Sequence, residues 1–295
     1  MWLKVYYICL MNTRVSIVEC PRDAMQGLHN LIPTDMKVNY IQSLLDVGFD
    51  VLDFGSFVSP KAVPQMADTA EVLSRLDLSK TKTELLAIVA NVRGAEEAAK
   101  HAQIRYLGYP FSVSETFQQR NTGKSVAESM GMISDLQEIC AKHDKTLVVY
   151  LSMAFGNPYG DPWTIELVIR WAEKMMAQQV KIISLADTIG NAYPGIIVPM
   201  MKSLIEDYPA TTFGAHFHST PDTRMEKLAA AWNAGCRRFD SAMMGFGGCP
   251  FAADDLTGNI ATESLLEFLE MQGVDTGVNR DALLKAQLLA GGVFA

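Results

Sequence analysis

Long apolar runs are missing from this 295-residue chain. None approaches the roughly 18 residues that a membrane-crossing helix needs, so a spanning helix is not expected. Cysteine is scarce: the five are Cys9, Cys20, Cys140, Cys236 and Cys249, with no C-x-x-C spacing. An odd, unpaired set speaks against a disulfide framework and a zinc ribbon, and a reducing cytoplasm is the expected compartment. Positive charge is also short, with 25 Lys and Arg against 33 Asp and Glu and a net charge of −8. That balance argues against a nucleic-acid binder, although a local cluster of donors can still hold a small anion. Low-complexity segments and interdomain linkers are absent too. With 49 % hydrophobic and 20 % charged residues, disorder, collagen and coiled coil are excluded.

What is present is an alternation. Eight β-rich runs occur at Val15–Glu19, Val51–Gly55, Leu85–Ala90, Ile104–Tyr109, Thr146–Ser152, Val180–Ala186, Thr211–Phe217 and Arg237–Ser241. Amphipathic stretches fall between them, near Thr34–Val47, Pro64–Leu76, Ala95–His101, Ser125–His143, Trp163–Gln178, Pro194–Tyr208 and Asp222–Ala234. Two more follow, near Thr262–Met271 and Arg280–Ala290. Strands alternating with helices imply parallel pairing and right-handed crossovers, and eight such units close a (β/α)8 TIM barrel, here with additional C-terminal helices. The alternative, a doubly wound open sheet, usually carries a Gly-rich first turn, and no G-x-G-x-x-G follows the first strand. The opening MWLKVYYICLM is too short and too poor in positive charge for a signal peptide and lacks a cleavage site. Residues 1–13 read as an extension upstream of a native start, with Met11 the candidate, and 14–295 as one catalytic domain.

In a barrel the chemistry sits on the loops after the strand ends. Polar residues gather there: Arg22, Asp23, Asp53, Ser56, Asn91, Ser112, Ser152, Asp187, Thr188, His216, His218 and Asp240. His216-Phe217-His218 is the sharpest feature, because residues two apart on a strand share a face. The two imidazoles can bind one divalent cation, with Asp23 as carboxylate and the side-chain oxygen of Asn259 as a further ligand. A hydrogen-bonded core pair explains an isolated H-x-H equally well. The mixed nitrogen and oxygen set suits Mg²⁺ or Mn²⁺ and admits Zn²⁺ or Co²⁺. Arg22 can neutralise a developing oxyanion or form a structural ion pair. Asp187 before Thr188 and a glycine fits either a turn or a functional acid. Cys249 lies in the glycine-rich segment Gly245-Phe246-Gly247-Gly248-Cys249-Pro250, which can fold over the barrel mouth. Asn121-Thr122-Gly123-Lys124-Ser125 looks like the end of a P-loop, but the first glycine would fall at Gln118, so it reads as a helix start.

These residues carry a resemblance. Pro21-Arg22-Asp23 with Gln26, SFVSPKAVPQMAD at Ser56–Asp68, ADTIG at Ala186–Gly190, HFH at His216–His218, GFGGCPFA at Gly245–Ala252 and GNIATE at Gly258–Glu263 are similar to the hydroxymethylglutaryl-CoA lyases. These are metal-dependent barrels related to condensing synthases, which lack the cysteine loop. The resemblance runs from about Val15 to Asn279. It implies Asp23, His216, His218 and Asn259 as metal ligands, Arg22 as the group that stabilises the thioester enolate, and Cys249 as the catalytic thiol. It implies Asp187 as a family aspartate and Asp53 in place of a family glutamate, with Glu19 and Glu263 as acids that orient Arg22 or Asn259. The implied reaction is retro-Claisen cleavage of an acyl-CoA, hydroxymethylglutaryl-CoA or a close relative, to acetoacetate and acetyl-CoA, as in leucine degradation. Asp53 or His216 is then the base and Cys249 the proton donor. A homodimer is implied as well. Lys61, Arg93, Arg120 and Lys124 lie near strand ends where CoA phosphates would pass, a position that solvated surface residues also take.

The departures from the family pattern bear on the acyl pocket. The family has a glycine before the proline and Gly-Leu after the aspartate, whereas this chain reads Glu19-Cys20-Pro21-Arg22-Asp23-Ala24-Met25-Gln26. His29 stands where the family has lysine, and Ser219-Thr220-Pro221 follows the H-x-H instead of Asp-Thr. Two alternatives therefore stay open: a condensing synthase running the same carbon chemistry towards bond formation, and a non-catalytic barrel that keeps the metal.

Overall fold

Eight parallel strands close in chain order into a barrel: β1 (Ser16–Glu19), β2 (Val51–Ser56), β3 (Glu84–Ile88), β4 (Ile104–Ser112), β5 (Thr146–Ser152), β6 (Ile182–Asp187), β7 (Thr212–Phe217) and β8 (Arg238–Ser241). β1 pairs with β8, so no edge is left open. The structure, a computed structural model, describes residues 14–248 and 257–294. Among them the helices are α1 (Pro21–Gln26), α2 (Thr34–Val47), α3 (Thr69–Arg75), α4 (Val92–Ala99), α5 (Glu115–Thr122), α6 (Val126–Lys142), α7 (Ile165–Ala177), α8 (Pro194–Asp207), α9 (Arg224–Asn233), α10 (Thr262–Met271) and α11 (Arg280–Val293). The (β/α)8 barrel with additional C-terminal helices is therefore the fold. No described helix is long and apolar enough to cross a membrane.

Strand parity builds two cores. Outward residues such as Phe54, Leu107, Tyr109, Leu147, Ile183, Phe217 and Phe239 pack in the large cluster under the helices. Inward residues Val18, Val51, Leu86, Val148 and Tyr150 form a second, smaller cluster that fills the lumen. The layer above it is polar, and the site begins there.

Three local departures from the sequence reading matter. Arg22 and Asp23 are not in a loop after β1. They lie in the first turn of α1, which Pro21 opens at a position where the lost N–H is not needed. The helix expected over Pro64–Leu76 splits into a 3-10 turn at Pro64–Met66 and α3. A separate α5, capped by Ser114 accepting from the Phe117 N–H, precedes α6. α1 and α5 both line the barrel mouth.

Candidate active site

A cavity of about 290 Å³ opens at the C-terminal end of the barrel. Its floor is the top inward layer of the strands, including Ile88, Pro110, Tyr150, Ser152 and Ala186. Arg22, Asp23, His216 and His218 line one side, and Phe117, Asn121, Thr122 and Lys124 another.

Parity places the two histidines as expected. His218 is 3 % exposed, and its Nδ1 lies 3.0 Å from the Thr188 carbonyl oxygen. A carbonyl only accepts, so Nδ1 carries the proton and Nε2 is left bare. That Nε2 is buried and has no hydrogen-bond partner among the described residues. Burial, with the neighbouring His216, pushes the imidazole down to about 4, which keeps it neutral and able to ligate. His216 sets its Nδ1 3.1 Å from Asp240 Oδ2. Burial opposes its protonated form, but the hydrogen bond and charge of Asp240 outweigh it and raise the pKa. Asp23 closes the group: ligand atoms of Asp23, His216 and His218 all lie within 4.8 Å of one another. Burial alone would raise the Asp23 carboxyl, but Arg22 and then the two histidines hold it at about 2. A buried carboxylate, a bare buried ring nitrogen and a second imidazole oriented by a carboxylate fit a divalent cation.

Around this triad the carboxylate is held from three sides. Asp23 Oδ1 accepts from Arg22 at 3.1 Å and Gln26 at 2.9 Å, and Oδ2 from Asn259 Nδ2 at 2.8 Å. Asn259 Nδ2 also reaches the Phe246 carbonyl at 2.9 Å. Two acceptors fix the amide orientation, so Asn259 turns its nitrogen, not its oxygen, to Asp23, and it does not line the cavity. It pairs across from His218. Gly247 lies against it at φ +98°, where a Cβ would meet Asn259 Nδ2 at 2.7 Å and the Ala24 Cα at 2.8 Å. This position therefore needs glycine. Cys249 lies outside the described residues.

A second group, Cys20, His216 and Asp240, has the same spacing. Burial pushes the Cys20 thiol well up, and it donates to the Val18 carbonyl. Asp240 Oδ2 accepts from Ser184 and faces His216 Nδ1, which orients the histidine, while Asp240 Oδ1 has no partner among the described residues.

Four expected residues take other places. Asp53 is fully buried and is held by Arg22 through Nε at 3.0 Å and one terminal nitrogen at 2.5 Å. It does not line the cavity and holds the Arg22 guanidinium from behind. Burial pushes its carboxyl up to about 6 against the pull of Arg22. Asp187 ends β6 on the outward parity and meets the buried Lys227 at 2.7 Å and the Ala192 N–H at 3.0 Å. Lys227 also donates to the Gly190 and His218 carbonyls. Asp187 therefore locks the loop carrying Thr188, outside the cavity. Glu19 and Glu263 touch neither Arg22 nor Asn259. Glu19 accepts from the Met243 N–H and Thr262, and Glu263 from the Met244 N–H and Gln287. Both anchor the turn after β8. Asp240 was within reach of the sequence reading: it sits in register opposite His216, on the same inward parity.

A family model described as HMGL-like matches residues 14–289. The chain belongs to the HMGL-like family. Among HMGL-like relatives it is 34 % identical over 274 residues to the hydroxymethylglutaryl-CoA lyase YngG of Bacillus subtilis, covering 92 % of this chain and 91 % of that one. It is 34 % identical over 276 residues to the mitochondrial hydroxymethylglutaryl-CoA lyase of Mus musculus, covering 92 % and 83 %. The crystal structure of the Bacillus subtilis HMG-CoA lyase superposes with a TM-score of 0.88 at 33 % identity, over 95 % of this chain and 93 % of that one. An HMG-CoA lyase from Acinetobacter baumannii in complex with coenzyme A and 3-methylmalate gives a TM-score of 0.88 at 29 % identity, over 96 % and 92 %.

Proposed function

We propose that the protein is a divalent-metal-dependent carbon–carbon lyase that cleaves 3-hydroxy-3-methylglutaryl-CoA, or a close 3-hydroxyacyl-CoA, to acetoacetate and acetyl-CoA. The bare, buried His218 Nε2 facing Asp23 and His216 carries the reading. Family membership supports the substrate class. A divalent cation bound by Asp23, His216 and His218, with the Asn259 oxygen as a further ligand, would acidify the substrate's tertiary hydroxyl; Mg²⁺ or Mn²⁺ suits the donors best, and Zn²⁺ or Co²⁺ remains compatible.

The chain's own residues do the rest. Of the two expected bases only His216 lines the cavity, and we assign the hydroxyl proton to the His216–Asp240 pair; its transfer lets the C2–C3 bond break. The hydroxyl carbon becomes the ketone of acetoacetate, and the bond's electron pair passes to the thioester as an enolate. Arg22 lines the cavity and commits three of its five N–H groups to Asp53 and Asp23. Two N–H groups remain for the enolate oxygen. Asp53 fixes the plane of that guanidinium, so no reorganisation is needed when charge develops. Protonation of the enolate carbon gives acetyl-CoA, and we assign this proton to Cys249. Cys249→Ala is then expected to lose most turnover with an unchanged metal stoichiometry. A rate near wild type would remove the thiol from the scheme. A cytoplasmic homodimer completes the proposal on the strength of the resemblance and the free thiols of Cys20, Cys140 and Cys236.

The direct test is turnover of purified protein on 3-hydroxy-3-methylglutaryl-CoA with and without Mn²⁺ or Mg²⁺, following acetoacetate. Metal-dependent release is the expected result. Stoichiometric metal binding without release would reject this substrate.

A further inference from the structure

The motif that imitates a P-loop has a different use in the fold. Asn121–Ser125 lies between two helices, not between a strand and a helix. α5 ends at Thr122, Gly123 takes φ +69°, and Ser125 caps α6 in a reciprocal box with Glu128. Three backbone donors of the turn are already taken. The Gly123 N–H bonds the Gln119 carbonyl, the Ser125 N–H bonds Glu128, and the Val126 N–H bonds Glu115. What the turn delivers is the Lys124 side chain, which lines the cavity beside Asn121 and Thr122.

Charge balance makes this lysine stand out. Lys124 and Arg22 are the only Lys or Arg residues lining the cavity among the described residues. Arg22 is bound to two carboxylates. Lys124 forms no ion pair among the described residues: its ammonium meets the Met132 sulfur at 3.3 Å, a weak acceptor, and feels the Glu128 carboxylate without bonding it. An ammonium with three donors and no carboxylate bonded to it among the described residues, on a side chain that lines a cavity already holding the candidate metal triad, is placed to receive an anionic oxygen.

We propose that Lys124 is a specificity-determining residue that binds an anionic oxygen of the acyl-CoA substrate. The inference rests on the lyase reading above. Such a substrate offers two sources of that oxygen, the free carboxylate of its acid end and the phosphates of CoA. The contact is made equally in the ground and transition states, so it acts on KM and leaves the chemical step alone.

The test compares wild type, Lys124→Met and Lys124→Arg on 3-hydroxy-3-methylglutaryl-CoA and on the corresponding pantetheine thioester, which lacks the CoA phosphates. Lys124→Met is expected to raise KM for the CoA thioester about ten- to a hundredfold, with kcat within about twofold, and Lys124→Arg to restore most of the loss. A penalty that persists on the pantetheine thioester assigns the carboxylate, and one that vanishes assigns a phosphate. An unchanged KM in Lys124→Met overturns the proposal, as does a loss confined to kcat. An inactive wild type would instead refute the lyase reading. Titration of coenzyme A and of 3-hydroxy-3-methylglutarate into wild type and Lys124→Met would then decide for the lysine, and equal affinities for both probes would overturn it.

Discussion

His218→Ala is expected to abolish stoichiometric Mn²⁺ binding and to lower kcat/KM by at least about a thousandfold. A cation that polarises the reacting oxygen supplies several kcal/mol to the transition state, and about 4 kcal/mol corresponds to a factor of a thousand. The imidazole is the most committed of the three ligands. Its Nδ1 is fixed on the Thr188 carbonyl, and its Nε2 has no hydrogen-bond partner among the described residues. Asp240→Asn supplies the graded comparison. It keeps His216 but loosens the carboxylate that orients it, and losses at such supporting positions run to about 10–100-fold. Titration calorimetry with Mn²⁺, beside a melting curve for each variant, checks both. Wild-type metal stoichiometry in His218→Ala, or turnover within about tenfold of wild type, would remove His218 from the ligand set.

The barrel could be read from the chain because two periods alternate eight times, and each β-rich run is short enough to be a strand. Parity then places His216 and His218 on one face without further information. The same parity, carried one step further, would have separated the acids. On β6, Ser184 and Ala186 face the lumen, so Asp187 must face the helices, where Lys227 waits 40 positions along the chain. On β8, Asp240 shares the inward face and meets His216. Asp53 was harder to place. A register shift between Asp53 and Gly55 interrupts the alternation of β2, and the guanidinium that claims Asp53 comes from α1, a six-residue helix too short to show a period. Glu19 pairs with Met243 and Thr262, more than 220 positions away. No local pattern encodes such a contact, so the family motif names the residue while only the closed barrel shows what it holds.

The second large effect is expected at Arg22. Arg22→Met should lower kcat by about 10²–10³, the usual cost of one donor aimed at a developing oxyanion, while Mn²⁺ still binds. Removing Arg22 frees Asp23 of a competing cation but also removes the largest influence that keeps this buried carboxyl ionised; the two effects oppose each other, so the expected change in metal affinity is small beside the loss of turnover. The complication is Asp53, which would lose its only ion-pair partner among the described residues at full burial. Burial already pushes that carboxyl up to about 6. Without Arg22 it would rise further and take up a proton at neutral pH, sparing the fold an unpaired buried charge. The double variant Arg22→Met/Asp53→Leu separates the two effects. Replacing a buried ion pair by apolar groups of similar volume is often neutral for stability, so the double variant should melt near wild type. Catalysis should stay at the level of Arg22→Met, because the pair matters to turnover only through the two N–H groups that Arg22 keeps for the substrate. Recovery of turnover in the double variant would mean that the single variant was impaired by its unpaired carboxylate. The enolate role of Arg22 would then fall.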